Sequence, residues 1–228
     1  MSPITTRHFA SGRELVLAAA ALLEEHLTRE FGGSHGVLLS GGATPLPVYR
    51  EVADRRVRTS ERAFVVLGDE RMAPEDTPDS NYGNLAASIR GWGVPEERIL
   101  RPLPALGLKT AARAYDGELR LFLKSGGRLT LGFLGLGADG HTASLFTPAD
   151  VARGGKSCAI PVPRKTGLAR VSVTPELLAR VRVLVILLTG KAEKQEVAER
   201  LLREPESVTA GLALRGHAGV QVWMGWKA

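Results

Sequence analysis

Cysteine is almost absent from this chain: Cys158 stands alone among 228 residues. A single cysteine closes no internal disulfide, so nothing points to an oxidising compartment, and the fold must rest on its core. No histidine-rich surroundings accompany Cys158, which reads as an inert side chain rather than a nucleophile. Long apolar runs are missing too. Leu15–Leu23 is too short to cross a bilayer, and Glu14, Glu24 and Glu25 bracket it. The opening MSPITTRHFASG has no cationic start leading into an apolar stretch. No signal peptide is therefore expected, and the expectation is a cytoplasmic protein with no membrane partner. Aromatics make up only 5% of residues, and no basic run interleaves with them. The net charge of +6 is scattered, its densest group being Arg55, Arg56 and Arg58. That distribution argues against a nucleic-acid partner and suits a small anionic ligand.

What is present is ordinary in amount and ordered in pattern. Hydrophobic content of 44% and charged content of 24% are those of a globular protein. The length leads us to expect one α/β domain over residues 1–228. Ser11-Gly-Arg-Glu14 forms a capping box ahead of a helix to about Phe31. Thr44 as N-cap and Pro45 at the first helical position open a second helix. Helices are also expected over 84–90, 110–124, 194–203 and 205–214, with a short one capped by Thr174. Short continuous apolar runs predict strands over 36–40, 63–67, 129–134, 182–188 and 219–224. The segment 152–170 reads as irregular. Such strands alternating with helices predict a mostly parallel sheet with helices on both faces.

In an open parallel sheet, ligands sit outside the carboxyl ends of the strands. Four of those ends are rich in glycine, charge or hydroxyl: Ser40–Pro45, Gly68–Arg71, Gly135–His141 and Thr189–Lys194. The loop Ser40-Gly41-Gly42-Ala43-Thr44 runs into a helix N-terminus. It reads equally as an anion site and as a plain tight turn. Lys194 could supply a point charge to the same anion. Asp69-Glu70-Arg71 puts three charges just after a buried strand.

Gly135, Gly137 and Gly140 make a formal G-x-G-x-x-G. A dinucleotide fingerprint also needs an acidic residue about 20 positions on and a long helix directly after the glycines. Residues 154–164 hold no acid, and Pro148 interrupts early. What the loop presents instead is Asp139-Gly140-His141, a carboxylate beside an imidazole, the parts of an oriented general base. As metal ligands the pair supplies two donors at most. His8, His26, His35 and His217 lie outside any ligand-spaced cluster, so no metal is expected.

Three stretches together resemble a known family: SGGATPLPVY (40–49), GDERMAPEDTPDSNYGNL (68–85) and GLGADGHTASLF (135–146). They resemble the 6-phosphogluconolactonases, which hydrolyse the δ-lactone of the oxidative pentose phosphate pathway. Weaker similarity continues through Arg170–Thr174 and Thr189–Leu202. The resemblance implies a Rossmann-like α/β fold, no cofactor, and a sugar-phosphate lactone as the small-molecule partner; a monomer is expected. Carried over, it makes His141 the general base, Asp139 its neighbour and Arg71 a contact for the lactone or its developing charge. Ser40, Gly41, Gly42, Thr44, Arg170 and Lys194 would hold the phosphate, and Asn81 would shape the Asp69–Arg71 loop. The family usually sets its lysine three residues after the glycine. Here Lys194 is four after Gly190 and Lys191 one after. The apolar spacing of Val197, Leu201 and Leu202 favours Lys194. The related glucosamine-6-phosphate deaminases continue from the histidine to a glutamate, which Thr142–Phe146 does not contain. A deaminase and a non-catalytic sugar-phosphate sensor remain the competing readings.

Overall fold

The apolar runs become strands of one sheet, and a second, smaller sheet stands beside it. The computed structural model describes residues 4–190 and 192–226. In chain order the elements are β1 (Ile4–His8), α1 (Gly12–Thr28), β2 (His35–Leu39), α2 (Leu46–Asp54), β3 (Ala63–Leu67), β4 (Asp69–Arg71) and α3 (Asn81–Gly91). Then follow β5 (Ile99–Leu100), α4 (Leu108–Lys124), β6 (Arg128–Leu134), α5 (Pro148–Arg153), β7 (Ala159–Val162) and β8 (Arg170–Val173). The chain continues with α6 (Pro175–Leu178), β9 (Val181–Leu188), α7 (Ala192–Arg203), α8 (Thr209–Ala213) and β10 (Val220–Met224). Seven strands form a parallel sheet in the order β1-β10-β9-β6-β2-β3-β5. No helix among the described residues is long and apolar enough to cross a membrane.

Period-two alternation, interrupted by a register shift where β6 pairs with β2 at Gly36/Val37, divides the strand side chains between two cores. Val37, Leu39, Val65, Leu67, Leu131 and Phe133 pack with α1, α2 and α3. Leu38, Val66, Leu129, Leu134, Leu184 and Ile186 pack on the opposite face with α4, α6, α7 and α8. Helices thus cover both faces, which is why the strands read as unbroken apolar runs.

Local signals set the helix ends. Ser11 Oγ accepts the Glu14 N–H at 3.2 Å, while the Glu14 carboxylate reaches back to the Ala10 N–H at 3.1 Å. Thr174 accepts the Leu177 N–H and caps α6 as expected. At α2 the expectation shifts by one residue. Pro45 occupies the N-cap with helical dihedrals and no side-chain cap. Thr44 is free to bond elsewhere and does so, 3.1 Å from Thr189 Oγ1. The expected helix over 205–214 is split into a 3-10 turn at Pro205–Ser207 and α8, because Val208 between them is extended.

Two further expectations are corrected. Asp69–Arg71 is not a loop but β4, and the supposedly irregular 152–170 contains β7. Both pair antiparallel with β8 in a three-stranded sheet, β4-β8-β7. Each strand is only three or four residues long. No periodic pattern fits into so short a run, and only partners distant in sequence make these segments strands. The edge strand β1 also went unread, because four of its five residues are exposed and give no apolar run.

Arg55, from the densest basic group, is held by Glu24 at 2.8 Å and Glu51 at 3.4 Å. At the opposite end of the sheet from the loops described below, His26 is buried with Nδ1 unpartnered among the described residues. Burial, and then the charge of Arg182, lower its pKa from 6.5 to about 4. The unfolded chain therefore takes up this proton first. Stability is complete above the unfolded pKa and falls as pH drops towards 4. The shift corresponds to roughly 3 kcal/mol. Urea unfolding at pH 7 and pH 4 should show a loss smaller by about that amount in His26→Gln than in the wild type; equal losses would refute the assignment.

Candidate active site

Strand order reverses between β2 and β6. From β2 the chain moves outward through β3 and β5, then returns to β6 on the other side and proceeds to β9 and β10. Loops leaving the two central strands diverge at such a point and leave a crevice at their carboxyl ends. A cavity of about 250 Å3 opens there, and all four of the predicted strand ends reach it.

The β2 end brings Ser40, Gly41, Gly42 and Thr44 to the wall. Ser40 is buried, its carbonyl accepting the Tyr49 hydroxyl at 3.0 Å and its own hydroxyl unpartnered among the described residues. Gly41 is required by close approach: a Cβ there would overlap the Asn81 carboxamide. The Thr44–Thr189 bond ties this loop to the end of β9. Lys194, in the first turn of α7, also lines the cavity. Lys191 lies outside the described residues.

The small sheet supplies the arginines. Arg71 and Arg170 are direct partners in the β4–β8 register, and both line the cavity. Both Nε atoms are buried and unpartnered. Burial first, and then the neighbouring Arg71 charge, hold the Arg170 guanidinium below its ordinary range. Of the five buried side-chain polar atoms without partners among the described residues, three belong to this cavity: Ser40 Oγ, Arg71 Nε and Arg170 Nε. Orphan buried donors are rare, and here they converge where an anion would satisfy them. Asp69 lies between, its Oδ2 accepting the Ser144 hydroxyl at 2.6 Å and its carbonyl accepting Asn81 Nδ2 at 2.9 Å. Arg71 Nη1 donates to the Asp79 carbonyl at 3.1 Å.

The β6 loop carries the titratable pair. His141 Nδ1 is 2.5 Å from Asp139 Oδ1, and the His141 N–H donates to the same oxygen at 3.3 Å. Burial pushes the Asp139 carboxyl up, but the bonds to His141 and its charge outweigh that, and the pKa lies below the usual range. His141 lines the cavity; Asp139 stands behind it. Gly137 is obligatory, because a Cβ would overlap both the imidazole and the Asp139 carboxylate. The Gly140 carbonyl accepts the Ala210 N–H at 2.8 Å, which anchors the loop to α8. The glycine loop does not open a helix. It ends at Thr147, which caps α5 through a capping box with Asp150.

With this geometry in view, the sequence model for glucosamine-6-phosphate isomerases/6-phosphogluconolactonase matches residues 10–223, which include every residue placed above. The chain belongs to this family. A 6-phosphogluconolactonase of Synechocystis is 36% identical over 174 residues, 73% of this chain and 71% of that protein. The crystal structure of 6-phosphogluconolactonase from Thermotoga maritima superposes with a TM-score of 0.80 at 25% identity, over 99% of this chain and 100% of that one. A monomeric glucosamine-6-phosphate deaminase gives 0.74 at 19% identity over 97% of both chains, a likeness of fold alone. Proteins of two named activities thus share this fold.

Three side chains at the site carried no expected role. Ser144 and Phe146 line the cavity; both lay inside the resemblance at 135–146. Glu70 is the third. It is fully buried and accepts the N–H groups of Arg71, Asn81 and Tyr82, each at 2.7 Å, and the Ser80 hydroxyl at 3.3 Å. Its carboxylate takes the orphan donors at the start of α3 and pins them to β4. The only sequence signal was an acid between two other charges just after a buried strand, which points to a site for the cluster without giving Glu70 a role of its own.

Proposed function

We propose that the protein hydrolyses 6-phospho-D-glucono-1,5-lactone to 6-phospho-D-gluconate without a metal, with His141 as the general base. The observation that carries this reading is the Asp139–His141 pair at 2.5 Å on the wall of a cavity furnished with Arg71, Arg170 and Lys194. Asp139 accepts from Nδ1, which selects the tautomer whose Nε2 lone pair is free to take a proton. Water adds its oxygen to the lactone carbonyl and gives a proton to Nε2. The tetrahedral oxyanion then collapses, the bond from the carbonyl carbon to the ring oxygen breaks, and that oxygen takes the proton back. Arg71, on the small-sheet wall of the cavity, stabilises the developing charge. The β2 loop, Arg170 and Lys194 hold the phosphate and fix the carbonyl near His141. A δ-lactone is an activated ester, so base, orientation and charge stabilisation suffice.

The names of the relatives support the substrate. The residues after His141 favour hydrolysis over deamination: Thr142–Phe146 bring no carboxylate, and Ser144 instead donates to Asp69. The test follows acid release from freshly generated lactone against the spontaneous rate, with glucosamine 6-phosphate and ammonia release as the parallel arm. Acceleration in the first arm alone supports the proposal; ammonia release in the second overturns it. Lys194→Ala is expected to raise KM about tenfold with kcat little changed, the signature of lost phosphate binding. An unchanged KM in steady-state kinetics would remove Lys194 from the site.

A further inference from the structure

A third guanidinium rests on Phe146, a residue of the cavity wall, and the mechanism above does not use it. Arg164 is exposed on the loop between β7 and β8, the strand that ends beside it and the strand that begins with Arg170. Its guanidinium carbon lies 3.8 Å from the centre of the Phe146 ring. Phe146 lines the cavity, and its ring centre is 4.5 Å from that of His141. The Arg164 charge is also felt at Arg170, where it adds to that of Arg71 in lowering the pKa. Neighbouring surface arginines behave differently: Arg153 and Arg180 each hold a carboxylate, Asp150 and Glu176, at 2.6 Å. Among the described residues Arg164 holds none, and rests on an aromatic face instead.

A cation on an exposed ring is held weakly, whereas a guanidinium on a phosphate forms charge-assisted and often bidentate hydrogen bonds. An anion entering the cavity therefore competes well for Arg164. The loop lets the side chain move: residues 163–167 are all exposed, and the loop's ends are fixed by β7 and by the bond from Met72 N–H to the Ala169 carbonyl at 2.9 Å. We propose that Arg164 is a further anion-binding residue of this site, stored on Phe146 in the free protein and turned onto the phosphate of the bound ligand. It would join Arg170 and Lys194 on that phosphate at the cavity mouth. The identity of the phosphorylated ligand rests on the lactonase reading; the binding of phosphate by Arg164 does not.

The experiment measures binding of inorganic phosphate by calorimetry at low ionic strength for the wild type, Arg164→Ala and Arg164→Lys, beside kcat and KM for the lactone. Arg164→Ala is expected to weaken phosphate binding about tenfold, with KM rising in parallel and kcat within about twofold. Arg164→Lys should recover part of the loss, because it restores charge without the fork. Added salt should weaken the wild type more than the alanine variant. Equal phosphate binding in wild type and Arg164→Ala overturns the inference. So does a fall in kcat with binding intact, which would assign Arg164 to holding Phe146 against His141. A wild type that binds phosphate, loses it in Arg164→Ala, and leaves the lactone unhydrolysed would overturn the lactonase reading while upholding this one. A wild type that binds no phosphate overturns this inference, while the rate of lactone hydrolysis alone decides the lactonase reading.

Discussion

Replacing His141 with alanine is expected to lower kcat for lactone hydrolysis by about 10²–10⁴-fold, with KM changed little. Among the described residues, the imidazole is the one group at the cavity wall that combines a free nitrogen with an anionic partner on the other. Its Nδ1 is engaged by Asp139 at 2.5 Å, so Nε2 remains for the water. In the proposed mechanism phosphate recognition falls to the β2 loop, Arg170 and Lys194, none of which the substitution touches, and this is why KM should hold. Asp139→Asn separates orientation from charge. An amide keeps the side chain's size but weakens its preference for the Nδ1–H tautomer, so kcat should fall by less than in His141→Ala. Raised KM with unchanged kcat in His141→Ala would remove the base assignment. Thermal unfolding of each variant checks that the loop survives, because Gly137 packs directly against both side chains.

The second large effect is on folding. Glu70→Ala is expected to destabilise the protein by about 3–5 kcal/mol in urea unfolding, and to reduce activity at temperatures where it remains folded. The carboxylate accepts three backbone N–H groups at 2.7 Å in a place with no exposure. Burial pushes its pKa up, and those bonds pull it back without fully offsetting the burial. Truncation strands all three donors, and a stranded buried donor costs about 1–3 kcal/mol. The three belong to Arg71, Asn81 and Tyr82, so the same cut loosens an arginine of the anion wall and the side chain that packs over Gly41. Glu70→Gln keeps one acceptor oxygen but turns an NH2 towards an N–H, and should fall between wild type and alanine. A loss below about 1 kcal/mol in Glu70→Ala would mean that water replaces the carboxylate, against the burial seen here.

These two residues mark how far the sequence could be read. His141 was legible because its signal is local: a strand end, glycines, and an acid two residues away. The same holds for Ser40–Thr44, and the structure brings these residues to one cavity with Arg71, Asp69, Asn81, Arg170 and Lys194. Glu70 was illegible because its partners beyond the adjacent Arg71 begin ten residues on, at Ser80, and no pattern in Gly68–Arg71 announces a strand. Arg164 was illegible for the same reason, since its contact with Phe146 joins two loops that only the fold brings together.

Residue patterning alone determined the class of the protein. Continuous apolar runs of strand length, separated by helical periods, can bury both faces only as a parallel sheet between helices, and connections between parallel strands send their polar loops to one edge. The tertiary structure decided what that edge contains. Pairing β4 with β8 places Arg71 opposite Arg170, with both Nε atoms buried and unpartnered. That pairing spans about a hundred residues of sequence and rests on strands too short to carry a period. Hydrogen bonds between distant backbones, rather than any local preference, brought two arginines far apart in sequence to one cavity wall.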